Sequence, residues 1–228
     1  MQVRMGLLNK VPDWSQKRFR DHWRNHHAGL ARQLSGLRHY HQNHIVDSTQ
    51  RGISFQRGPE QLDGISQLGF DSETAMKEAF STDHGSKLIE DEQYFIGRLR
   101  IVTVTPHVVV EPPTSGHALK RMSLLRRRLD VSPDVFAREW QDVHGPLVRS
   151  LPGILGYRQN LVTGRQAPKG TMVGYDALPI DGIVELWFAD TAAIDAAFAS
   201  VRGQETMAHA GTFIGEITTF LVEPFTVI

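Results

Sequence analysis

Apolar and polar residues along this chain form strand-like and helix-like stretches in a fixed order, and that order occurs twice. A period of two predicts a strand, and a period of about 3.6 predicts a helix with one buried face. The order in each half is β-α-β-β-α-β, the signature of a ferredoxin-like fold. The predicted strands lie at 2–10, 37–46, 63–70, 95–105, 118–127, 154–163, 181–188 and 213–223, and the predicted helices at 16–34, 73–80, 84–93, 133–150, 190–200 and 203–210.

The two halves of the chain are copies of one another. The segment FRDHWRNHHAGLARQLSGLRHYHQN at 19–43 returns as FAREWQDVHGPLVRSLPGILGYRQN at 136–160. Between 3–46 and 120–163, 16 of 44 positions are identical without a gap, and the offset then changes from 117 to 118 residues after a loop. Loops are where insertions are tolerated. We therefore expect a first repeat over 1–106, a linker over 107–117 and a second repeat over 118–228.

Strand 181–188, DGIVELWF, is apolar on both of its faces. Ile183 and Trp187 point one way, while Val184 and Leu186 point the other way. A sheet with two apolar faces needs a cover on each side, and the helices of one repeat cover only one. We therefore expect an α+β fold in which the two repeats pack sheet to sheet as an intrachain barrel of eight strands, with the helices outside.

One histidine and one tyrosine survive in both repeats. Each histidine follows a tryptophan by four residues on the apolar face of its helix, so it points inward. Each tyrosine lies on the next strand, with a glutamine on the same face. An imidazole that titrates near neutrality is a usual general acid or base, while a packed core histidine and tyrosine are the alternative. The catalytic candidates are His27, Tyr40, His144 and Tyr157, and the substrate-binding candidates beside them are Trp23, Gln42, Trp140 and Gln159.

Glu185 is a carboxylate on a strand face that it shares with Ile183 and Trp187. A carboxylate there is costly unless it is paired or protonated. Its counterpart in the first repeat is Gln67, which has the same shape without the charge. Our hypothesis is that the second repeat holds the more complete catalytic set, and that Gln67 has a substrate-binding role in a degenerate or retuned first set. The alternative is that Glu185 faces solvent on an edge strand. The two sets are His144, Tyr157 and Glu185, and His27, Tyr40 and Gln67.

Charge and composition exclude several classes of function. A formal net charge of zero gives no electrostatic basis for binding nucleic acid or an anionic membrane. The absence of cysteine excludes disulfides, thiolate metal sites and a cysteine nucleophile. The N-terminus lacks the apolar segment of a signal peptide, and no apolar run could cross a bilayer, so we expect a cytoplasmic protein. The basic residues Lys120, Arg121 and 126–128 are expected at the rim of the sheet.

Histidines are concentrated in the first repeat. His22 and His26 have the i, i+4 spacing that can bind zinc. No glutamate accompanies them as in a zinc protease, and no third ligand recurs in the second repeat. We therefore expect a solvated histidine-rich face, with no metal site and no cofactor.

The stretch LLRRRLDVSPDVFAREWQDVHGPLVRSLPGILGYRQN, followed by DGIVELWF and an alanine-rich helix, resembles the EthD family of the dimeric α+β barrel superfamily. The first repeat is a looser match, since HAGL at 27–30 lacks the proline of HGPL at 144–147. Members of such families usually pair as dimers, so this chain resembles a fused dimer. The resemblance implies a pocket between helix and sheet in each repeat. It also implies cofactor-free chemistry of the kind found in methylmuconolactone isomerases, where a histidine and a tyrosine line the pocket.

Three functions are consistent with these patterns. The first is a cofactor-free isomerase, cyclase or lyase that acts on an aromatic-derived or polyketide-like acid or lactone by histidine and tyrosine acid–base chemistry. The second is a protein that binds an apolar small molecule without chemistry. The third is a haem protein with His27 or His144 as the axial ligand. The expected partner is a small molecule, and self-association of the fused barrel is also compatible with the sequence.

Overall fold

The computed structural model describes residues 2–114 and 117–228 and shows an α+β chain whose two halves match. The strands are β1 Gln2–Lys10, β2 Leu37–Asp47, β3 Gly64–Phe70, β4 Ile96–Val110, β5 Leu119–Arg127, β6 Gly156–Gln166, β7 Gly182–Phe188 and β8 Ile214–Thr226. The α-helices are α1 Gln16–His22, α2 Ala28–Ala31, α3 Glu73–Phe80, α4 Asp83–Phe95, α5 Pro133–Arg138, α6 Gly145–Arg149, α7 Thr191–Ala199 and α8 Val201–Phe213.

The described strands close into one antiparallel barrel in the order β1-β3-β2-β8-β5-β7-β6-β4. Two seams join the repeats, β2 with β8 and β4 with β6. Closure pairs both edges of every strand, which satisfies the backbone groups that an open sheet would expose. The predicted intrachain barrel of two ferredoxin-like repeats is confirmed.

The fourth strand is longer than the strand predicted at 95–105. β4 continues to Val110 because its outer part pairs with β6, for example His107 with Gln159 and Val110 with Tyr157. The first residues of the predicted linker, 107–110, are therefore strand. Met1 of the first repeat and Ser115 and Gly116 of the linker lie outside the described residues.

Each strand of the barrel has an inner face and a helix-side face. The barrel interior is filled by apolar side chains such as Met5, Ile65, Met122, Ile183 and Phe220. On the other face, the strands pack against the helices, as Tyr40 and Leu68 do in the first repeat. Because side chains alternate along a strand, neighbouring residues lie in different compartments. This alternation decides which candidate residues can meet.

The first helix of each repeat contains a π-helical turn, Trp23–His27 between α1 and α2 and Glu139–His144 between α5 and α6. In each, the residue after the histidine donates its N–H to the carbonyl of the tryptophan five residues earlier. The sequence predicted an uninterrupted helix, and π turns are frequent at functional sites. No helix in the described part of the chain is both long and apolar enough to span a membrane.

Each tryptophan of these turns lies directly against a glycine at the start of the neighbouring strand. A Cβ atom at Gly64 would overlap the indole of Trp23, and one at Gly182 would overlap the indole of Trp140. The glycines occupy matching positions and leave the room that the indoles need. They therefore set the distance between the π turn and the sheet.

Candidate functional site

In the first repeat, Trp23, Tyr40 and Gln42 form a buried hydrogen-bonded cluster beneath the π turn. The Trp23 indole N–H donates to the Tyr40 hydroxyl over 2.8 Å. The Gln42 amide donates to the same hydroxyl over 3.2 Å and to the Trp23 carbonyl oxygen over 2.7 Å. Because a carbonyl oxygen can only accept, Gln42 must present its NH₂ group here. The Tyr40 hydroxyl therefore accepts both bonds.

The second repeat reproduces the glutamine bonds of this cluster, but the Trp140 indole N–H has no hydrogen-bond partner among the described residues. The Gln159 amide donates over 2.7 Å to the Trp140 carbonyl oxygen and to the Tyr157 hydroxyl. Burial is the largest influence on both phenols and raises the pKa of Tyr40 and of Tyr157. Within the described residues the Tyr40 hydroxyl accepts two hydrogen bonds, the Tyr157 hydroxyl accepts one, and neither hydroxyl donates any. Each phenol therefore keeps its proton at neutral pH and can donate it to a ligand oxygen.

His27 in the first repeat is oriented by Asp91 of α4. His27 Nδ1 lies 2.8 Å from Asp91 Oδ2, and His22 Nε2 lies 2.8 Å from Asp91 Oδ1. Burial raises the pKa of Asp91, but the hydrogen bonds and charges of His27 and His22 outweigh it and lower that pKa overall. An ionised Asp91 holds the proton of His27 on Nδ1 and leaves the Nε2 lone pair free to accept another proton.

The second repeat has a different partner for its histidine. His144 Nδ1 lies 3.3 Å from His209 Nδ1, and His209 Nε2 lies 3.4 Å from Glu139. The residue types are exchanged, since His209 matches Asp91 and Glu139 matches His22. Burial, and then His209, lower the pKa of His144 to about 3. The carboxylate-oriented histidine is therefore in the first repeat, which reverses our expectation that the second repeat holds the more complete set.

Cavities of unequal size lie beside the two clusters. His27 and Tyr40 line a cavity of about 10 Å³ together with Arg4, and Arg4 also lines a neighbouring groove of about 720 Å³. His144 and Tyr157 line a cavity of about 40 Å³. Imidazole and phenol thus face one cavity in each repeat. The cavity of the first repeat adjoins a groove large enough for a small organic molecule.

Two segments of the chain, residues 11–98 and 128–216, match the EthD domain. The chain belongs to the EthD family. The double match shows a tandem duplication of the domain, and each matched segment contains one π turn with its histidine. No curated protein shows significant similarity to this chain.

Solved structures resemble this tandem EthD chain in fold. An anthrone oxidase-like protein is 9% identical with a TM-score of 0.64, and the match covers 99% of this chain and 92% of that one. A candidate monooxygenase from Lactobacillus acidophilus NCFM is 10% identical with a TM-score of 0.58, covering 99% and 94%. An EthD-family protein from Bacillus halodurans C-125 is 26% identical with a TM-score of 0.38, covering 45% and 96%.

The structure does not bring Glu185 to the tyrosine site of the second EthD repeat. Glu185 is fully buried in the barrel interior, where Oε2 lies 2.5 Å from Lys120 Nζ and Oε1 accepts hydrogen bonds from Asn160 and Gln67. Tyr157 leaves the sheet on the helix side. Grouping Glu185 with His144 and Tyr157, or Gln67 with His27 and Tyr40, was therefore wrong, as was placing Glu185 on a solvent-facing edge or Lys120 at the rim.

One group of described residues, His22, His26 and Asp91, has ligand atoms close enough together for a metal ion, all within 4.8 Å of one another. Asp91 is the third possible ligand of this group, and sequence reasoning did not find it. It already accepts hydrogen bonds from His22 and His27, and His26 is 61% exposed. A solvated histidine-rich face, rather than a metal site, remains our prediction for this surface of the EthD repeat.

Haem does not fit beside either histidine. The cavities that His27 and His144 line, of about 10 and 40 Å³, are far smaller than a macrocycle. His144 also has its Nδ1 against His209, and His27 has its Nδ1 against Asp91. Axial ligation by either residue would require the helix to separate from the sheet.

Sequence reasoning missed three polar residues on the helix side of the sheet, and each of them had a detectable signal in the sequence. Asp91 exchanges residue type with His209 while His22 exchanges with Glu139, which indicates two reciprocal contacts between helices. Arg4 and Arg121 are identical between repeats and stand inside apolar strands. We expected Arg121 at the rim, but it is 2% exposed and lines the His144 cavity. That expectation was wrong because β5 turns Arg121 toward the helices.

The low pKa of His144 predicts a pH dependence of stability. His144 stays neutral in the fold until about pH 3, while in the unfolded chain it takes up a proton near pH 6.5. Above pH 6.5 the neutral state of His144 costs no stability. As the pH falls from 6.5 toward 3, the free energy of unfolding decreases by up to about 1.4 kcal/mol per pH unit. Urea unfolding of the wild-type protein and His144→Leu between pH 7.5 and 4.5 checks this. Equal slopes would contradict it.

Proposed function

We propose that this EthD-family protein is a cofactor-independent enzyme that moves a proton on a small organic acid or lactone, by isomerase or lyase chemistry, in the first repeat. The observation that carries the proposal is the contact between His27 and Asp91 beside the proton-bearing hydroxyl of Tyr40. A base and a hydrogen-bond donor line one cavity there. This is the pair of groups that removal of a proton next to a carbonyl requires.

The proposed step is a proton transfer that conserves all atoms. His27 Nε2 accepts a proton from the carbon next to a carbonyl group, and the electron pair of that C–H bond moves to the carbonyl oxygen. Tyr40 donates a hydrogen bond to the developing enolate oxygen. Asp91 stabilises the imidazolium that forms. Return of the proton to another carbon isomerises the substrate, and departure of a β-substituent with the electron pair gives a lyase reaction.

The second repeat supports a lesser role for His144 and Tyr157. Gln159 donates to Tyr157 as Gln42 does to Tyr40, but Tyr157 lacks the indole bond that Tyr40 has. His144 also contacts a histidine rather than a carboxylate, and its pKa is lowered to about 3. A base that weak holds a proton poorly at neutral pH. We therefore assign the main proton transfer to His27.

A second candidate is a protein that binds a small molecule without chemistry. It is favoured by the size of the cavity beside His27, about 10 Å³, which admits about one water molecule unless the helix and sheet separate. A ligand confined to the adjoining groove would be bound and left unchanged.

Solvent deuterium exchange tests the proposal, because it detects proton removal whatever step follows. A panel of γ-lactones with a carboxylate side chain, β-keto acids and anthrone would be incubated with the protein in D₂O and followed by NMR. We expect the wild-type protein to exchange the acidic C–H of at least one compound, His27→Ala to lose this activity and His144→Ala to keep it. Deuterium exchange that persists in His27→Ala would contradict the proposal. Binding of the panel without exchange would favour the second candidate.

A further inference from the structure

A buried arginine without a partner stands in the helix-side pocket of each repeat. Arg4 on β1 is 6% exposed and Arg121 on β5 is 2% exposed. Arg4 Nη2 and Arg121 Nε and Nη1 are buried without a hydrogen-bond partner. Within residues 2–114 and 117–228, neither guanidinium makes a hydrogen bond or an ion pair. Arg20, Arg24, Arg57 and Arg100 also have buried nitrogens without a partner, but each of these side chains donates a hydrogen bond through another nitrogen.

Each of the two arginines is stacked on a matching phenylalanine. The Arg4 guanidinium lies 5.0 Å from the ring centre of Phe80, and that of Arg121 lies 4.8 Å from the ring centre of Phe198. A cation–π contact favours the guanidinium but satisfies none of its in-plane N–H groups. Leaving such donors without acceptors in a buried place is unfavourable, and a buried charge is normally paired. Each of these guanidinium groups therefore has an N–H donor for which the protein supplies no acceptor.

Arg4 carries a guanidinium, which stays protonated in proteins, and the residue lines open space. Burial lowers the pKa of Arg4, and Glu92 opposes this effect. Burial lowers the pKa of the equivalent Arg121 only to about 10, so that guanidinium is still protonated at neutral pH. Arg4 lines both the cavity of His27 and Tyr40 and the groove of about 720 Å³. A group bound to Arg4 would therefore lie between the groove and the proton-transfer residues.

Among the described residues that line the groove, Arg4 is the cation without an ion pair. Lys169, from the loop after β6 of the second repeat, forms an ion pair with Glu92 of α4, and Lys77 forms one with Glu73 on α3. These pairs cancel. The apolar part of the wall includes Met76, Phe80, Ile89, Ile101 and Met172. The groove is thus an apolar site with one positive group at its inner end, which suits an organic anion.

We propose that Arg4 is the anchor for the carboxylate of the ligand, which makes the substrate of the first repeat an apolar organic carboxylate whose reacting C–H lies next to a carbonyl group. The planar fork of a guanidinium matches a carboxylate in two parallel hydrogen bonds. The apolar body of the ligand lies in the groove against Phe80 and Met76. This inference deepens the proposed function by naming its substrate class, but its test depends on binding and not on turnover.

The test compares 2-naphthoate with 2-naphthamide, which has nearly the same shape without the charge. Binding to the intact chain is measured by calorimetry. We expect one molecule of 2-naphthoate per chain and at least about 10-fold weaker binding of the amide, because only the carboxylate gains charge-assisted hydrogen bonds. In Arg4→Met the preference is lost, and both compounds bind weakly. Arg4→Lys keeps the positive charge but lacks the planar guanidinium donors. We expect it to bind 2-naphthoate more tightly than 2-naphthamide by a smaller factor than the wild-type protein does.

Two matched substitutions serve as controls. Arg121→Met removes the same side chain beside a cavity of about 40 Å³, and Arg98→Met removes an exposed arginine from β4. Both are expected to leave the Kd of 2-naphthoate unchanged. Equal affinity of the wild-type protein for acid and amide, or wild-type affinity in Arg4→Met, would overturn the inference. If Arg4→Met does not fold, Arg4→Lys and the wild-type comparison still decide it. Arg4-dependent binding without deuterium exchange would refute the proposed function but not the anchor.

Discussion

Replacing Asp91 with asparagine is expected to slow proton transfer by His27 by about 10²- to 10⁴-fold while the protein remains folded. The carboxylate holds the His27 proton on Nδ1 across 2.8 Å and stabilises the imidazolium. An asparagine side chain can donate its NH₂ to Nδ1, which favours the tautomer with the proton on Nε2. The base would then carry its proton on the nitrogen that must accept one. The rate of deuterium exchange into the substrate measures the loss.

The second repeat supplies a matched control for Asp91→Asn. The double substitution E139H/H209D transplants the histidine and carboxylate of the first repeat beside His144. We expect it to raise the pKa of His144 from about 3, because a carboxylate replaces the His209 ring. NMR titration of the His144 ring protons reads this shift directly. Wild-type exchange in a folded Asp91→Asn protein would show that Asp91 does not position the base.

Much of the fold could be predicted from the sequence, because the duplication presents each strand and helix twice in different sequences. The strand and helix order, the caps at Ser15 and Ser132 and the closed barrel follow from periodicity and local hydrogen-bonding residues. The extension of β4 to Val110 could not be predicted, because it comes from pairing with β6 of the other repeat. The π turns were also missed. The extra residue in each turn shifts the buried positions by one, so Ala31 and Val148 are buried where an unbroken helix would bury Leu30 and Leu147.

The candidate site could be predicted only in part, for reasons of strand geometry and helix packing. The proximity of His27 and Tyr40 could be predicted, because both recur and each points into the space between its helix and the sheet. Glu185 was correctly placed on the face of Ile183, but nothing in β7 alone shows that this face is the barrel interior. Asp91 meets His27 only through packing of α4 on the first helix, a contact between residues 64 positions apart.

Replacing Lys120 with methionine is expected to lower the free energy of unfolding by about 3–5 kcal/mol, because it leaves the Glu185 carboxylate buried without its main partner. Lys120 Nζ lies 2.5 Å from Glu185 Oε2, and Glu185 is fully buried. Burial would raise the pKa of Glu185, but the charges of Lys120 and Arg158 outweigh it and hold this pKa at about 2. Arg158 lies at 3.7 Å and is partly exposed, so it is a weak substitute. Denaturant unfolding at pH 7 measures the loss.

The pH dependence and a double substitution separate the lost ion pair from the lost lysine packing. In the wild-type protein the ionised Glu185 contributes stability above pH 4.5, its unfolded pKa, and this contribution is lost as the pH falls through about 2. In Lys120→Met the buried carboxylate destabilises the fold above pH 4.5, so the deficit is largest at neutral pH and shrinks below that value. K120M/E185Q replaces the charge with the amide that Gln67 already provides in the first repeat, and we expect it to recover most of the loss. A deficit that is independent of pH and persists in the double variant would show that packing of the Lys120 stem, not its charge, holds this part of the barrel.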